Sequence, residues 1–112
     1  MGLPKIDEST TEAEIEEIAA RAQDAATFLK AISHEGRLMI LCHLVSGEKT
    51  VTELERLLSA RQAAVSQQLS RLRLEGLVVP RREGKAIYYS LSDPKAARVI
   101  ALVYDMFCKG QV

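Results

Sequence analysis

The sequence of 112 residues predicts one domain, 1–112, and its 15 Lys and Arg balance its 15 Asp and Glu, for a formal net charge of zero. It contains no apolar run approaching the roughly 20 residues of a membrane helix, and no basic segment followed by an apolar stretch. We therefore expect a cytoplasmic protein without membrane contact, a compartment that disfavours a structural disulfide between the two cysteines.

A long first helix is predicted over residues 11–32, after a mobile tail at residues 1–10. Ser9 and Glu12 have the spacing of a capping box, and the segment that follows favours helix because it lacks Pro and Gly. Its many alanines would let another helix approach closely, so we expect a partner on this side. The predicted apolar side consists of Ile15, Ile18, Ala19, Ala22, Ala25, Ala26 and Leu29.

Two shorter helices are predicted next, over residues 33–46 and 51–58. Ser46-Gly47 would end the first of them, and Thr50 with Glu53 would cap the second. Apolar residues three, four and seven positions apart predict the inner face of each helix. These residues are Leu38, Leu41, Cys42 and Val45 in the first helix, and Leu54, Leu57 and Leu58 in the second.

A fourth helix would start near Arg61, with Ser59 and Gln62 as its capping box, and would end at Gly76. One stripe of this helix is apolar, and we expect it to pack inward. The stripe contains Leu58, Val65, Leu69 and Leu72. The opposite face carries short polar or amide groups and arginines, namely Gln62, Ser66, Gln67, Ser70, Arg71 and Arg73.

Residues 78–92 change to the alternation of β-strands, in two runs on either side of a basic Glu-Gly-Lys tip at residues 83–85. Of Tyr88 and Tyr89, one should pack inward, and sheet packing is the favoured role for both. Together, the helix-turn-helix at 51–75 and this hairpin predict a mainly α fold with a small β hairpin, the winged helix-turn-helix that reads DNA.

The charge distribution supports DNA binding despite the zero net charge. Residues 61–92 carry six Lys or Arg against two Glu, whereas residues 1–20 carry one Lys against six acidic residues. Amide and hydroxyl groups can read base edges, and we assign this role to Gln62, Ser66, Gln67 and Ser70. Basic residues can hold phosphate, and we assign this role to Arg71, Arg73, Arg81, Arg82 and Lys85.

A last helix is predicted over residues 94–108, because Asp93 can cap it, Pro94 suits its first turn and Gly110 would stop it. Its predicted apolar residues are Ala97, Ile100, Ala101, Tyr104, Phe107 and Cys108. The sequence lacks the motifs of common enzymes, including a phosphate-binding Gly-rich loop, HExxH and a nucleophile elbow, so we expect no catalysis and no cofactor.

Cys42 and Cys108 are either small core side chains or a redox-sensing pair of accessible thiols. His43 follows Cys42 but projects about 100° around the helix, so the two are poorly placed to chelate one metal. His34, at the start of the second helix, has an expected structural role. Position alone does not decide between these interpretations.

Several blocks of the sequence resemble the ArsR-type bacterial repressors, in the order of that family: FLKAISHEGRLMILCHL, TVTELERLLSARQAAVSQQL, then VSQQLSRLRLEGLV with RREGKAIYYSL. The resemblance covers roughly Phe28 to Leu91 and implies a homodimer, formed by the first and last helices, that binds operator DNA. One metal site of the family uses a CxC pair, but TVTELERLL contains no cysteine. Another uses His and carboxylates on the last helix, where this chain offers only Asp93 and Asp105.

A subgroup of that family, the persulfide-responsive repressors of the SqrR and BigR type, has two cysteines placed like those in ILCHLVSGE and YDMFCKG. The resemblance implies that reactive sulfur species link Cys42 to Cys108 and that the protein then releases DNA, with no metal involved. Two alternatives stay open. The chain could be a metal sensor using Cys42, Cys108 and His43, or a winged-helix protein-interaction module that binds no DNA.

Overall fold

The computed structural model describes residues 5–58 and 62–109, and the chain divides into two compact units that meet in sequence between Lys30 and Ala31. The elements in chain order are helix α1 (Glu12–Ile32), helix α2 (Glu35–Val45), strand β1 (Lys49–Thr50), helix α3 (Val51–Leu58), helix α4 (Gln62–Leu74), strands β2 (Val78–Glu83) and β3 (Ala86–Leu91), and helix α5 (Pro94–Tyr104). A π-helical turn, Asp105–Lys109, continues α5. The expected class, mainly helical with a small antiparallel sheet, is confirmed. Among the helices of the described residues, none is long and apolar enough to cross a bilayer.

The first unit contains most of α1, whose capping box differs from the predicted one. The N–H of Glu14 donates to Oγ1 of Thr11 at 3.1 Å, and the N–H of Thr11 donates to a Glu14 carboxylate oxygen at 3.3 Å. Ser9 instead donates its N–H and its hydroxyl to Asp7. The capping-box spacing occurs twice here, in Ser9 with Glu12 and in Thr11 with Glu14, and the sequence does not distinguish the two. The prediction of Ser9 with Glu12 was wrong. The apolar side of α1 is largely exposed, with Ile15 at 49% and Leu29 at 53%.

Helix α2 is shorter than predicted and buries a different face. Nδ1 of His34 accepts a hydrogen bond from the N–H of Gly36 at 3.0 Å, so His34 caps this helix, in line with its expected structural role. The buried residues of α2 are Ile40, Leu41 and Leu44. Of the predicted inner face, Leu41 is therefore correct, whereas Cys42 and Val45 are exposed.

Helix α3 has the predicted bounds and the predicted capping box, formed by Thr50 and Glu53 at 3.0 and 3.1 Å. Leu54 is fully buried, but Leu57 is 51% exposed, so the prediction of an inward Leu57 was wrong. Leu58 ends α3 and is not part of α4, the helix whose predicted apolar stripe included it.

The sheet has three strands rather than the predicted two, in the order β1-β3-β2. Strand β1 is only two residues long, and it pairs with β3 at Lys49–Tyr89 and Thr50–Tyr88. The predicted hairpin of β2 and β3 is present, and Gly84 in its connection has φ +61°. Tyr88 and Tyr89 lie on opposite faces of the sheet by alternation, and both are half-buried.

Helix α5 begins as predicted, with the N–H of Lys95 donating to the Asp93 carboxylate at 2.8 Å and Pro94 in the first turn. It buries Ala96 and Ile100, whereas four of the apolar residues predicted for this helix are exposed, namely Ala101, Tyr104, Phe107 and Cys108. The core of the second unit combines residues from α2, α3, α4, β2 and α5. Its largest buried side chains are Ile40, Leu41, Leu54, Leu69, Leu72, Leu77 and Ile100.

Candidate DNA-reading surface and thiol pair

Helix α4 is fixed by its buried stripe. Val65 is 2% exposed and Leu69 and Leu72 are fully buried, as the sequence pattern predicted. At the end of the helix, the Leu77 N–H donates to the Leu72 carbonyl at 2.9 Å and the Gly76 N–H donates to the Arg73 carbonyl at 3.0 Å. This is the Schellman arrangement, and Gly76 permits it because its φ is +76°. The predicted start near Arg61, with its cap Ser59, lies outside the described residues.

The outer face of α4 presents the side chains that the sequence singled out. Gln67, Ser70, Arg71 and Arg73 are exposed and Ser66 is half-buried, whereas the side chain of Gln62 lies outside the described part of the chain. Because the buried stripe sets the rotation of the helix, these groups face outward together. The arrangement combines amide and hydroxyl groups, which can bond base edges, with guanidinium groups, which can bond phosphate.

Arg37 connects α2 to α4, a contact that the sequence reasoning missed. Its Nε donates to the Gln68 side-chain oxygen at 3.1 Å, and its Nη1 donates to the Ala31 carbonyl at 3.0 Å. The Ala31 carbonyl belongs to the last turn of a helix, where carbonyl oxygens lack partners within the helix. Arg37 of α2 therefore bonds both to the Ala31 carbonyl and to Gln68 of α4, which we call the reading helix. A charged residue at the start of an otherwise apolar helix was the available signal.

The basic side chains of α4 and of the β2–β3 hairpin, residues 78–91, which we call the wing, differ in their surroundings. Arg71 lies 3.7 Å from Glu75, and Arg81 is paired with both Glu48 and Glu83. Within residues 5–58 and 62–109, Arg73, Arg82 and Lys85 have no carboxylate partner and are exposed. Their charge is thus available to an anionic ligand without breaking an ion pair.

Arg81 makes a dense set of contacts for an exposed side chain. Its Nη2 lies 2.6 Å and its Nε 3.2 Å from the two carboxylate oxygens of Glu48, and its Nη1 donates to Glu83 at 3.0 Å. The guanidinium carbon also lies 4.9 Å from the centre of the Tyr88 ring. The hydrogen bond to Glu48 is the largest cause of a raised pKa of Arg81, and the hydrogen bond to Glu83 is the second. The hydrogen bond from Arg81 in turn lowers the pKa of Glu48.

The two thiols are free and exposed, and both belong to the second unit. Cys42 lies on α2 and Cys108 in the π-helical turn after α5. Partial burial raises the pKa of Cys42, and the negative charge of a Cys108 thiolate raises it further. The interpretation of both cysteines as core side chains was therefore wrong. The chain brings two thiols that are 66 positions apart in sequence close enough to interact electrostatically.

Candidate metal ligands are dispersed over the described residues. Across residues 5–58 and 62–109, the chain does not gather three or more His, Cys, Asp or Glu side chains into a group that could hold a metal ion. His43 is half-buried on α2 and joins no such group. The two cysteines by themselves provide fewer ligands than the four of a structural zinc site.

Known proteins are similar to this chain in sequence and in fold. The sequence profile described as bacterial regulatory protein, arsR family, matches residues 34–79. The biofilm growth-associated repressor of Agrobacterium fabrum is 49% identical over 88 residues, covering 79% of this chain and 75% of that protein. The structure of the repressor BigR from Xylella fastidiosa superimposes with a TM-score of 0.78 at 44% identity, covering 83% of this chain and 95% of that one. Reduced HlyU from Vibrio cholerae gives a TM-score of 0.80 at 38% identity, covering 83% and 98%.

The helix-turn-helix, its outward polar face and the adjacent basic hairpin define a winged helix-turn-helix regulator that binds DNA. The chain belongs to the ArsR family of bacterial regulatory proteins. Within that family it is similar to the BigR repressors, as the sequence resemblance predicted.

Proposed function

We propose that this protein is a homodimeric transcriptional repressor that releases its operator DNA when reactive sulfur species link Cys42 to Cys108. The observation that carries the proposal is the pair of free, exposed thiols, one on α2 and one in the turn that continues α5, the helix packed against α2. Similarity to the BigR repressors supports the repressor assignment. The sulfur signal is what the resemblance to the persulfide-responsive subgroup implies, and the exposed thiol pair supports it.

The proposed chemistry requires only a hydropersulfide, RSSH. One cysteine thiolate attacks the outer sulfur, forms a cysteine persulfide and expels the thiol RSH. The second thiolate attacks that persulfide and expels hydrogen sulfide, which leaves a disulfide, or a bridge with additional sulfur if further RSSH has reacted first. The hydropersulfide is reduced as the two thiols are oxidised. Because its pKa is raised, Cys42 has a smaller thiolate fraction at neutral pH than an ordinary cysteine, which slows its attack.

A bridge between these positions would tie α2 to the turn that follows α5. Arg37 of α2 is also hydrogen-bonded to Gln68 of the reading helix, α4. A shift of α2 would therefore move α4 as well. The π-helical turn supports a conformational role, since such turns are frequent at functional sites. By linkage, a bridge that favours a non-binding geometry lowers DNA affinity by the same free energy with which DNA opposes the bridge.

The homodimer is proposed because two exposed apolar surfaces need cover. One is the side of α1 that includes Ile15 and Leu29, and the other is formed by the exposed end of α5 and the turn after it. The second surface comprises Leu102, Tyr104, Met106 and Phe107, which are 54% to 65% exposed. Two-fold symmetry would place two reading helices in major grooves about 34 Å apart, or a multiple of that, on a pseudo-palindromic operator.

Contacts to the operator are proposed from chemistry and exposure. Base edges would be read from α4, and phosphates would be held by α4 and the wing. The proposed base-edge residues are Gln62, Ser66, Gln67 and Ser70, and the proposed phosphate residues are Arg71, Arg73, Arg82 and Lys85.

The deciding experiment combines intact mass spectrometry with DNA binding to the upstream region of the protein's own gene. After exposure to a hydropersulfide donor, each chain should lose two hydrogen atoms, gain the mass of any inserted sulfur and release the duplex. Dithiothreitol should reverse both changes. Release by zinc without a response to the donor would favour a metal sensor, and no DNA binding at low salt would favour a protein-interaction module.

The wing can be tested by the salt dependence of DNA binding. Replacing Arg82 or Lys85 by Ala should weaken binding to every duplex and should reduce the slope of log K against log[salt] by about one unit per lost phosphate contact. The reason is that each phosphate contact releases condensed counterions. Filter binding or fluorescence anisotropy over a salt series measures the slope. Unchanged slopes in both variants would remove the wing from the interface.

A further inference from the structure

We propose that Arg81 is a positioning residue, which clamps the wing to the turn after α2, rather than a phosphate contact. The inference rests on the proposed role of the wing in DNA binding and assigns different tasks to the adjacent residues Arg81 and Arg82. Glu48 is the anchor of the clamp, and Tyr88 is the surface over which it lies.

The clamp spans the full width of the sheet. Arg81 belongs to β2, and Tyr88 opposite it belongs to the central strand β3. Tyr88 also pairs with Thr50 of β1, the strand on the far side. Glu48 comes two residues before Thr50, so it continues the same face by strand alternation. The guanidinium thus reaches from one outer strand, over the ring of the central strand, to the residue that leads into the other outer strand.

This contact joins β2 directly to the segment that leads into β1, the strand on the other edge of the sheet. Among the described residues, β1 pairs with one edge of β3 over two residues and β2 pairs with the other edge, so backbone pairing connects β2 to the segment after α2 through β3. The Glu48–Arg81 bond joins residues 33 positions apart and adds a direct side-chain link between them. Because Glu48 lies three residues beyond the last residue of α2, the clamp makes the wing follow the end of the cysteine-bearing helix.

The chemistry of the contact suits a clamp. Two nitrogens of one planar guanidinium meet both oxygens of one carboxylate, an arrangement that only arginine can make. A third nitrogen meets Glu83, so two carboxylates surround a single cation. A phosphate would have to displace these carboxylates and would also approach their negative charge. Arg82 has no such competitor within the described residues, and alternation places it on the opposite face, beside Ile87.

The test compares Arg81→Ala with Arg82→Ala in the full-length protein, using a duplex of unrelated sequence for the salt slope. Arg82→Ala should reduce the slope by about one unit, whereas Arg81→Ala should leave it unchanged and lower affinity about twofold to fivefold. Hydrogen exchange of the wing amides, residues 78–91, should accelerate in Arg81→Ala but not in Arg82→Ala. The double variant of Arg81→Ala with Glu48→Gln should show no further acceleration, since both changes break one contact.

Two further variants separate position from charge. Arg81→Lys keeps the charge but not the paired geometry, so its wing should exchange as fast as that of Arg81→Ala. Glu48→Gln keeps the Arg81 side chain but removes the carboxylate that it contacts. It should therefore loosen the wing as Arg81→Ala does. Unchanged exchange in Arg81→Ala would overturn the clamp. A lower slope in Arg81→Ala that Glu48→Gln does not reproduce would instead make Arg81 a phosphate contact.

The proposed function and the clamp can fail separately. If Arg82→Ala and Lys85→Ala leave the slope unchanged, the wing does not touch DNA. The exchange rates still decide whether Arg81 holds it in place. The content of secondary structure, measured by circular dichroism, should be the same in all variants, because every replaced side chain is exposed.

Discussion

Replacing Cys108 by Ser should leave operator binding unchanged and should abolish release by a hydropersulfide donor. Typical allosteric couplings change affinity by about 5-fold to 150-fold, and this ratio should fall to one because serine cannot be oxidised to a bridge. The serine hydroxyl is close in size to the thiol, and Cys108 is exposed, so the fold should be retained. Anisotropy titrations of the operator duplex, with and without the donor, measure the ratio.

Cys42→Ser should give the same loss of response, because a bridge needs both thiols. Met106→Leu is a matched control, since Met106 is exposed in the same π-helical turn but has no thiol. It should release DNA like the unmodified protein. If Cys108→Ser still released DNA on treatment with the donor, modification of Cys42 alone would be the signal and the bridge would be wrong.

The same variant reports on the electrostatic link between the thiols. The charge of Cys108 is the second cause of the raised pKa of Cys42, after partial burial. Removing that charge should lower the pKa of Cys42 in Cys108→Ser, although not fully to the ordinary value, because the burial remains. Alkylation rates against pH would show the shift, and an unchanged profile would mean that the two sulfurs do not interact.

The sequence predicted the elements with strong local signals. Thr50 with Glu53, Asp93 with Pro94, and Gly76 each fix a helix end through contacts between near neighbours, and the structure has all three. The stripe of α4 was equally clear because its opposite face is polar. These features depend only on residues within one or two turns.

Helix α2 shows why periodicity failed elsewhere. Apolar residues occur all around its circumference, from Leu38 through Val45, so no spacing rule could select the buried face. The choice of Ile40 and Leu44 over Cys42 and Val45 is made by the neighbouring elements, as is the exposure of both thiols. The contact between Arg81 and Glu48 could not be predicted from local patterns either, because the two residues are 33 positions apart in sequence. Strand β1 was missed because two residues are too few for an alternation signal.

Helix α4 offers a comparison of the same substitution at two burial extremes. Leu69 is fully buried and Leu74 is 82% exposed, on one helix of 13 residues. Leu69→Ala should lower the free energy of unfolding by about 2–5 kcal/mol, because it removes buried methyl groups and leaves a cavity. Leu74→Ala should change it by no more than about 0.5 kcal/mol. Denaturant unfolding at fixed protein concentration, followed by circular dichroism, measures both.

The comparison also tests how the reading face is held. Total stabilities of domains are about 5–15 kcal/mol, so the Leu69 variant should stay mostly folded under mild conditions. It should nevertheless bind the operator more weakly than the Leu74 variant, because Leu69 sets the rotation that turns Gln67 and Ser70 outward. The slope of log K against log[salt] should stay close to that of the unmodified protein, because the basic residues of the wing are unchanged. Equal operator affinity in a folded Leu69 variant would show that packing beneath α4 does not govern the reading face.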